Sequence, residues 1–194
     1  FSNSTIYGTK FVGTYLEKTI FDNSQINSAL FLGSKINDSS FNDVLIENTD
    51  FSGSIITDVD LSNQNFSNNL FQNTMLNSAN LSNSDFSNAD FSYAYLNSAN
   101  LSNSTFIDVN FFMTDFGSAN LSNANLVGAN LLKSYFKNTI LDEVLIDSTT
   151  LTDSCFENDI INKIQCTLMR YTLPGMPPYE TTYEKRDNYK INYP

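Results

Sequence analysis

The 194-residue chain has no histidine and only two cysteines, and all four of its prolines lie at or beyond Pro174. With no imidazole, and with Asp and Glu scattered over many positions, neither a zinc site nor a nucleophile–base pair can be assembled. An enzyme is therefore not expected, nor a cofactor. The lack of proline before Pro174 leaves every earlier backbone N–H free to bond, as a structure built on repeated backbone contacts requires. No run of 18 apolar residues occurs, so no transmembrane helix is expected.

Basic residues are also scarce, 10 against 21 acidic ones, for a net charge of −11. Residues 1–163 carry 6 Lys and 18 Asp or Glu, a net −12, and the remainder carries +1. Such a surface repels nucleic acid and anionic membranes, so neither is expected as a direct partner. The acids are read as a solvated surface that keeps a stackable protein in solution.

What the chain does have is a beat of five. Every fifth residue from Phe1 to Ile161 is Phe, Leu or Ile, without exception in 33 positions. A longer period of 20 is superimposed: the nine residues Leu76–Ser84 return unchanged at Leu96–Ser104. A step of five advances an α-helix by about 500°, or 140° net, which smears large side chains around the cylinder instead of forming a stripe. On a straight strand, odd spacing sends successive hydrophobes to opposite faces. Both are excluded. A chain that turns a corner after each five-residue side buries all of them on one axis, and a period of 20 gives four sides per coil.

Residues 20 apart then stack, at the strand spacing of about 4.8 Å. Phe11, Phe31, Phe51, Phe71, Phe91 and Phe111 form one such core column, at a separation where aromatic rings pair favourably. Two residues before each centre the side chain should point inward at a cramped corner, and Ala, Ser, Thr or Val fills 29 of the 32 such places. Gln64 and Asn69 depart from the rule and predict a local distortion; Asp159 marks the end of the regular part. If each central side chain contributes about 1.5–3 kcal/mol on burial, this axis supplies most of what opposes chain entropy.

Ala79-Asn80-Leu81-Ser82-Asn83, Ala89-Asp90-Phe91-Ser92-Tyr93 and Ala119-Asn120-Leu121-Ser122-Asn123 resemble the pentapeptide-repeat family, whose unit is a small residue, Asp or Asn, Leu or Phe, then two variable positions. The resemblance spans roughly residues 1–163. It implies an all-β fold, a right-handed quadrilateral β-helix of about eight four-sided coils, followed by an extended, non-repeat C-terminal segment at 164–194 that caps the rod or reaches a neighbouring molecule. Some members of that family are acidic rods that imitate duplex DNA and bind a type II topoisomerase. The charge fits this reading; Pro174, Pro177 and Pro178 do not fit the C-terminal helical segment through which those members usually pair.

Several outward features bear on partners. The sequons at Asn3, Asn37, Asn65 and Asn103 are candidate N-glycosylation sites, as are Asn80, Asn100 and Asn120, which also predict a ladder of bonded amides. Sequon use implies an extracellular or cell-surface rod with glycans; without it a cytoplasmic location stands as the alternative. Cys155 and Cys166 read either as a disulfide where the chain leaves the solenoid, implying an oxidising compartment, or as unrelated thiols. Tyr15, Ile55, Met75, Tyr95 and Tyr135 fall in one outward column and predict a lateral contact. The repeat is in register at Phe1, which is read as a chain that begins after a cleavage or truncation, with an open first coil. Solenoid ends are sticky unless capped. The leading expectation is thus a structural rod, a scaffold or an end-to-end stacking subunit whose partners are copies of itself, joined through the ends and the C-terminal segment.

Overall fold

A computed structural model describes residues 1–146, seven complete coils and the start of an eighth. The end of the regular repeat, both cysteines and the Tyr- and Pro-rich segment lie outside the described residues. The chain winds as a right-handed, four-sided solenoid. Its sides centre on residues 1, 6, 11 and 16 of each 20, hereafter the first to fourth sides.

The square section comes from the turns. After most central residues the chain reverses through a hydrogen bond from the N–H three residues on, as in Ser4 N to Phe1 O (3.2 Å) and Ala94 N to Phe91 O (2.9 Å). The third residue of each turn, from Asn3 to Glu143, has positive φ. That combination is a type II turn, and it explains why Asn, Asp, Ser and Gly crowd this position. The residue before the centre contributes as well: Asp60, Asn80, Asp85 and Asp90 each accept the N–H two residues on through a side-chain oxygen, at 2.8–3.3 Å. An Asx side chain there holds the coming turn in shape.

Coils bond to one another in parallel. Three strands form on the second side, β1 (Thr5–Tyr7), β2 (Gln25–Asn27) and β3 (Leu45–Glu47), in register Ile6–Ile26–Ile46. A β-branched residue at each of these centres suits extended backbone. Elsewhere each side contributes a single bridge per coil, 20 residues apart.

The axis is filled by the fifth residues. Phe31, Phe71, Phe91, Leu81 and Leu101 are completely buried. In the third-side column Phe11–Phe31, Phe31–Phe51, Phe51–Phe71 and Phe71–Phe91 stack at 4.8, 4.9, 5.1 and 4.7 Å between ring centroids. Phe91–Phe111 departs, at 5.4 Å and 32°, where Phe116 enters the adjacent column and packs edge-on against Phe111 at 4.9 Å. Corner hydroxyls are buried too, and they donate to carbonyls of the preceding coil, as Ser104 Oγ does to Leu81 O (2.7 Å) and Thr114 Oγ1 to Phe91 O (2.7 Å).

The solenoid has a seam. On the third and fourth sides the bridges run unbroken, whereas on the first and second sides Ser40–Asp60 and Leu45–Asn65 are unbridged. The N–H groups of Phe41, Asp43, Ile46, Asn48, Asp60 and Asn65, which the pattern would send across that gap, have no backbone partner among the described residues. Two changes coincide there. Corner residues on these sides become bulky, with Val44, Val59 and Gln64 in place of Ala or Ser, and the axis swaps Phe41 for Leu61 and Ile46 for Phe66. The larger corners and relocated ring prevent both coils from keeping contact on all four sides. Gln64 thus lies in the expected distortion. Asn69 does not: Leu70 bridges Asp50 normally, and the buried Asn69 amide takes up the corner bonds itself, accepting Thr49 N (2.7 Å) and donating to Ser67 O (3.1 Å).

Candidate functional site

Because the interior is filled with side chains, what the molecule offers to a partner is its outside, ruled into columns at the coil spacing. On the first side, Asn80 Nδ2 donates to Asp60 Oδ1 (3.0 Å) and Asn100 Nδ2 to Asn80 Oδ1 (3.1 Å). The expected ladder stops there. Asn120 is not amide-linked to Asn100, and its Oδ1 instead accepts the Ser122 N–H and O–H, at 3.0 and 2.7 Å. A second ladder, unanticipated from sequence, stands on the third side: Asn110 Nδ2 donates to Asp90 Oδ1 (3.1 Å) and Asn130 Nδ2 to Asn110 Oδ1 (2.9 Å). Gln72 Nε2 donates to the other Asp90 oxygen at 2.6 Å. Each ladder rests on an Asp, whose carboxylate oxygens accept from the amide above.

The fourth side carries the apolar column. Tyr15, Lys35, Ile55, Met75, Tyr95, Asp115 and Tyr135 are joined by consecutive bridges, so the structure does bring the five predicted residues into one line. They are unequally exposed: Tyr15 is 74% and Met75 37% accessible, while Ile55, Tyr95 and Tyr135 are half-buried. Lys35 Nζ lies 4.9 Å from the Tyr15 ring centroid, a cation–π contact. Asp115 interrupts the column and is buried, accepting Asn97 Nδ2 (2.8 Å) and Gly117 N (3.0 Å).

Beside this column lies a patch that the sequence reading missed. Tyr93, Met113 and Lys133 occupy the third turn position at the corner between the third and fourth sides, all at positive φ (61°, 58° and 61°). The same corner is Gly13, Gly33, Gly53 and Asn73 in the earlier coils. Tyr93 packs edge-on against Phe112 (5.4 Å), and Lys133 Nζ lies 5.7 Å from that ring's centroid. Following this column every 20 residues, where Gly gives way to Tyr and Met, is the signal that would have found it.

Of the sequons, Asn3, Asn65 and Asn103 are exposed. Asn37 is only half-buried, with its Oδ1 enclosed and unpaired, and its Ser39 hydroxyl faces inward to Leu16 O (2.6 Å). One acid has a displaced pKa: hydrogen bonds from the Ser40 hydroxyl, foremost, and from Asn42 hold Asp22 below its ordinary 3.8 against a small opposing effect of burial. Among the described residues no three Asp, Glu, Cys or His converge as a metal site.

Fold and surface together define a β-solenoid whose working parts are outward columns of side chains. The model for pentapeptide repeats matches residues 45–83, 84–121 and 119–158, in 8 copies, and the chain belongs to the pentapeptide repeat family. Its fold is that family's right-handed quadrilateral β-helix. No curated protein sequence matches the chain. Similar solved structures include the pentapeptide repeat protein Rfr23 of the cyanobacterium Cyanothece 51142, 15% identical, with a TM-score of 0.40 over 77% of this chain and 89% of that one. Full-length QnrB1, a plasmid-mediated fluoroquinolone resistance protein, is 17% identical, with a TM-score of 0.31 over 86% and 95%. A pentapeptide repeat protein of the Arabidopsis thaliana thylakoid lumen is 21% identical, with a TM-score of 0.24 over 69% and 68%.

Proposed function

We propose that the protein is a non-enzymatic structural rod, a scaffold or subunit that stacks end to end with copies of itself into a filament or larger assembly. The observation that supports this is the bonding that recurs from coil to coil, unbroken on the third and fourth sides. Central and third-turn N–H groups donate along the axis in one direction, as Phe31 N does to Asp50 O (2.7 Å), and the N–H before each centre donates in the other, as Leu30 N does to Thr9 O (2.9 Å). Each coil is thus the hydrogen-bonding complement of the next, and complementary surfaces that do not close on themselves generate filaments. An extracellular or cell-surface site accords with the exposed sequons; intact-mass measurement before and after glycosidase treatment tests it.

Electron micrographs of the native protein over rising concentration, paired with sedimentation, test the assembly. Filaments one rod wide are expected. Isolated rods at the highest concentration would overturn the reading.

A second reading, an acidic rod that imitates duplex DNA and binds a type II topoisomerase, is supported by charge: residues 1–146 carry 14 Asp or Glu against 5 Lys and no Arg. A supercoiling assay in which the protein neither inhibits nor protects a gyrase removes it.

A further inference from the structure

We propose that the segment Leu173–Tyr179 docks within its own molecule, in an aromatic furrow on the side of the fifth to seventh coils. One wall is the corner row Tyr93, Met113 and Lys133, backed by Phe112; the other is the fourth-side row with Tyr95 and Tyr135. Between the rows the chain passes through Ala94, Thr114 and Ser134, all buried, so the outward side chains stand on either side of a floor of backbone and small residues.

The first wall is built at a cost. A side chain at positive φ is disfavoured by roughly 1–2 kcal/mol relative to glycine, and glycine occupies this corner in the first three coils. Tyr93 and Met113 keep bulky groups there, and only beside the Tyr95–Tyr135 stretch. Every turn of the solenoid shares the positive φ, but only at this corner is it held by an aromatic or thioether side chain.

The chemistry of the occupant follows from the spacing. Tyr95 and Tyr135 are two bridges apart on one ladder, or about 9.6 Å at the strand spacing. Leu173-Pro174-Gly175-Met176-Pro177-Pro178-Tyr179 has prolines three residues apart, and a polyproline helix advances about 9.3 Å in three residues. Pro174 and Pro177 therefore repeat in step with the two tyrosine rings. Proline rings docking against aromatic-lined grooves is a recurrent mode of recognition, favoured because the extended peptide is already ordered. The 26 residues between Ile146 and Leu173 reach about 85 Å when extended, more than the few coils to be crossed. Tethering also raises the segment's effective concentration to the millimolar range, so weak contacts suffice. This docking uses a side of the rod and is independent of association through its ends.

The chain has no tryptophan, so Met176→Trp in the full chain reports on the segment alone. Blue-shifted emission and several-fold weaker acrylamide quenching than for free indole are expected, unchanged on dilution. Both should be lost with Tyr95→Ser plus Tyr135→Ser and with Pro174→Ala plus Pro177→Ala, and kept with Tyr95→Phe plus Tyr135→Phe, since ring faces make the contact. The proline pair follows the five-residue repeat in the sequence and keeps the test decisive should the serine pair fail to fold. Water-like emission in the parent chain, or a signal indifferent to the proline and tyrosine pairs, overturns the proposal. A signal that appears only as sedimentation shows doubled mass overturns its intramolecular form.

Discussion

Thr49 donates its backbone N–H to Oδ1 of Asn69, one coil away, at 2.7 Å. Other corners make the same bond to a hydroxyl, as Ser84 N does to Ser104 Oγ (3.2 Å). Asn69 is fully buried, so the amide is tolerated because it is satisfied. Replacing Asn69 by Ala strands the Thr49 N–H and should lower stability by about 1–3 kcal/mol. Asn69→Ser, which restores an acceptor, should lose markedly less. Urea unfolding of the two variants side by side gives the comparison.

The seam between the third and fourth coils should be the first place to open. Amides of Phe41, Asp43, Ile46, Asn48, Asp60 and Asn65 lack the partners that Phe21, Asn23, Ser40 and Leu45 have. Hydrogen exchange should be at least about tenfold faster at the first set, as for low-stability regions generally. Gln64→Ser, which gives this corner the residue found at Ser24 and Ser84, should slow it. Equal protection across both sets would show that the seam is closed in solution.

Among the axial rings, a fully buried one is worth more than an exposed one. Phe91 is completely buried and touches rings on both axial sides, whereas Phe1 is 54% exposed. Phe91→Ala should cost about 3–5 kcal/mol, and Phe91→Leu less than about 1.5 because volume and polarity are nearly kept. Leu131 already occupies this column two coils on. Phe1→Ala should be nearly silent in the same unfolding measurement.

Acid should weaken the second coil through Asp22. Its folded-state pKa is lowered, chiefly by the Ser40 hydroxyl, so the contribution is fully present above the unfolded value near 3.9 and lost as pH falls through the lower folded one. The group is only half-buried, so solvent screening keeps the effect small. Thermal midpoints followed from pH 6 to pH 2 should fall less for Ser40→Ala than for the parent in the lowest part of that range.

Much of the shape was legible because burial repeats with the chain's own period. A hydrophobe at each fifth place admits only a cornered path, and the run from Phe11 to Phe111 named a stacked column directly. Gln64 announced the seam for the same reason: a long polar side chain cannot occupy a corner sized for Ala without moving something. Asn69 broke the same rule without consequence, since its shorter amide finds the corner's own donors and acceptors. The ladder through Asn80 and Asn100 was visible as identity every 20 residues. The Asp90–Asn110–Asn130 ladder was less so, because its first member is chemically different.

The sequence by itself determined the solenoid, its four sides and its dry axis, because those depend on spacing and on which side chains avoid water. Only the tertiary structure decided which outward neighbours meet. Whether Asn120 bonds Asn100 or its own Ser122, whether Asp115 is exposed or folded under Asn97, and whether Tyr93 reaches Phe112 are contests among polar and aromatic groups in adjacent coils. These are settled by distances of a few tenths of an ångström and by turn conformation, which a period of five leaves the same at every corner.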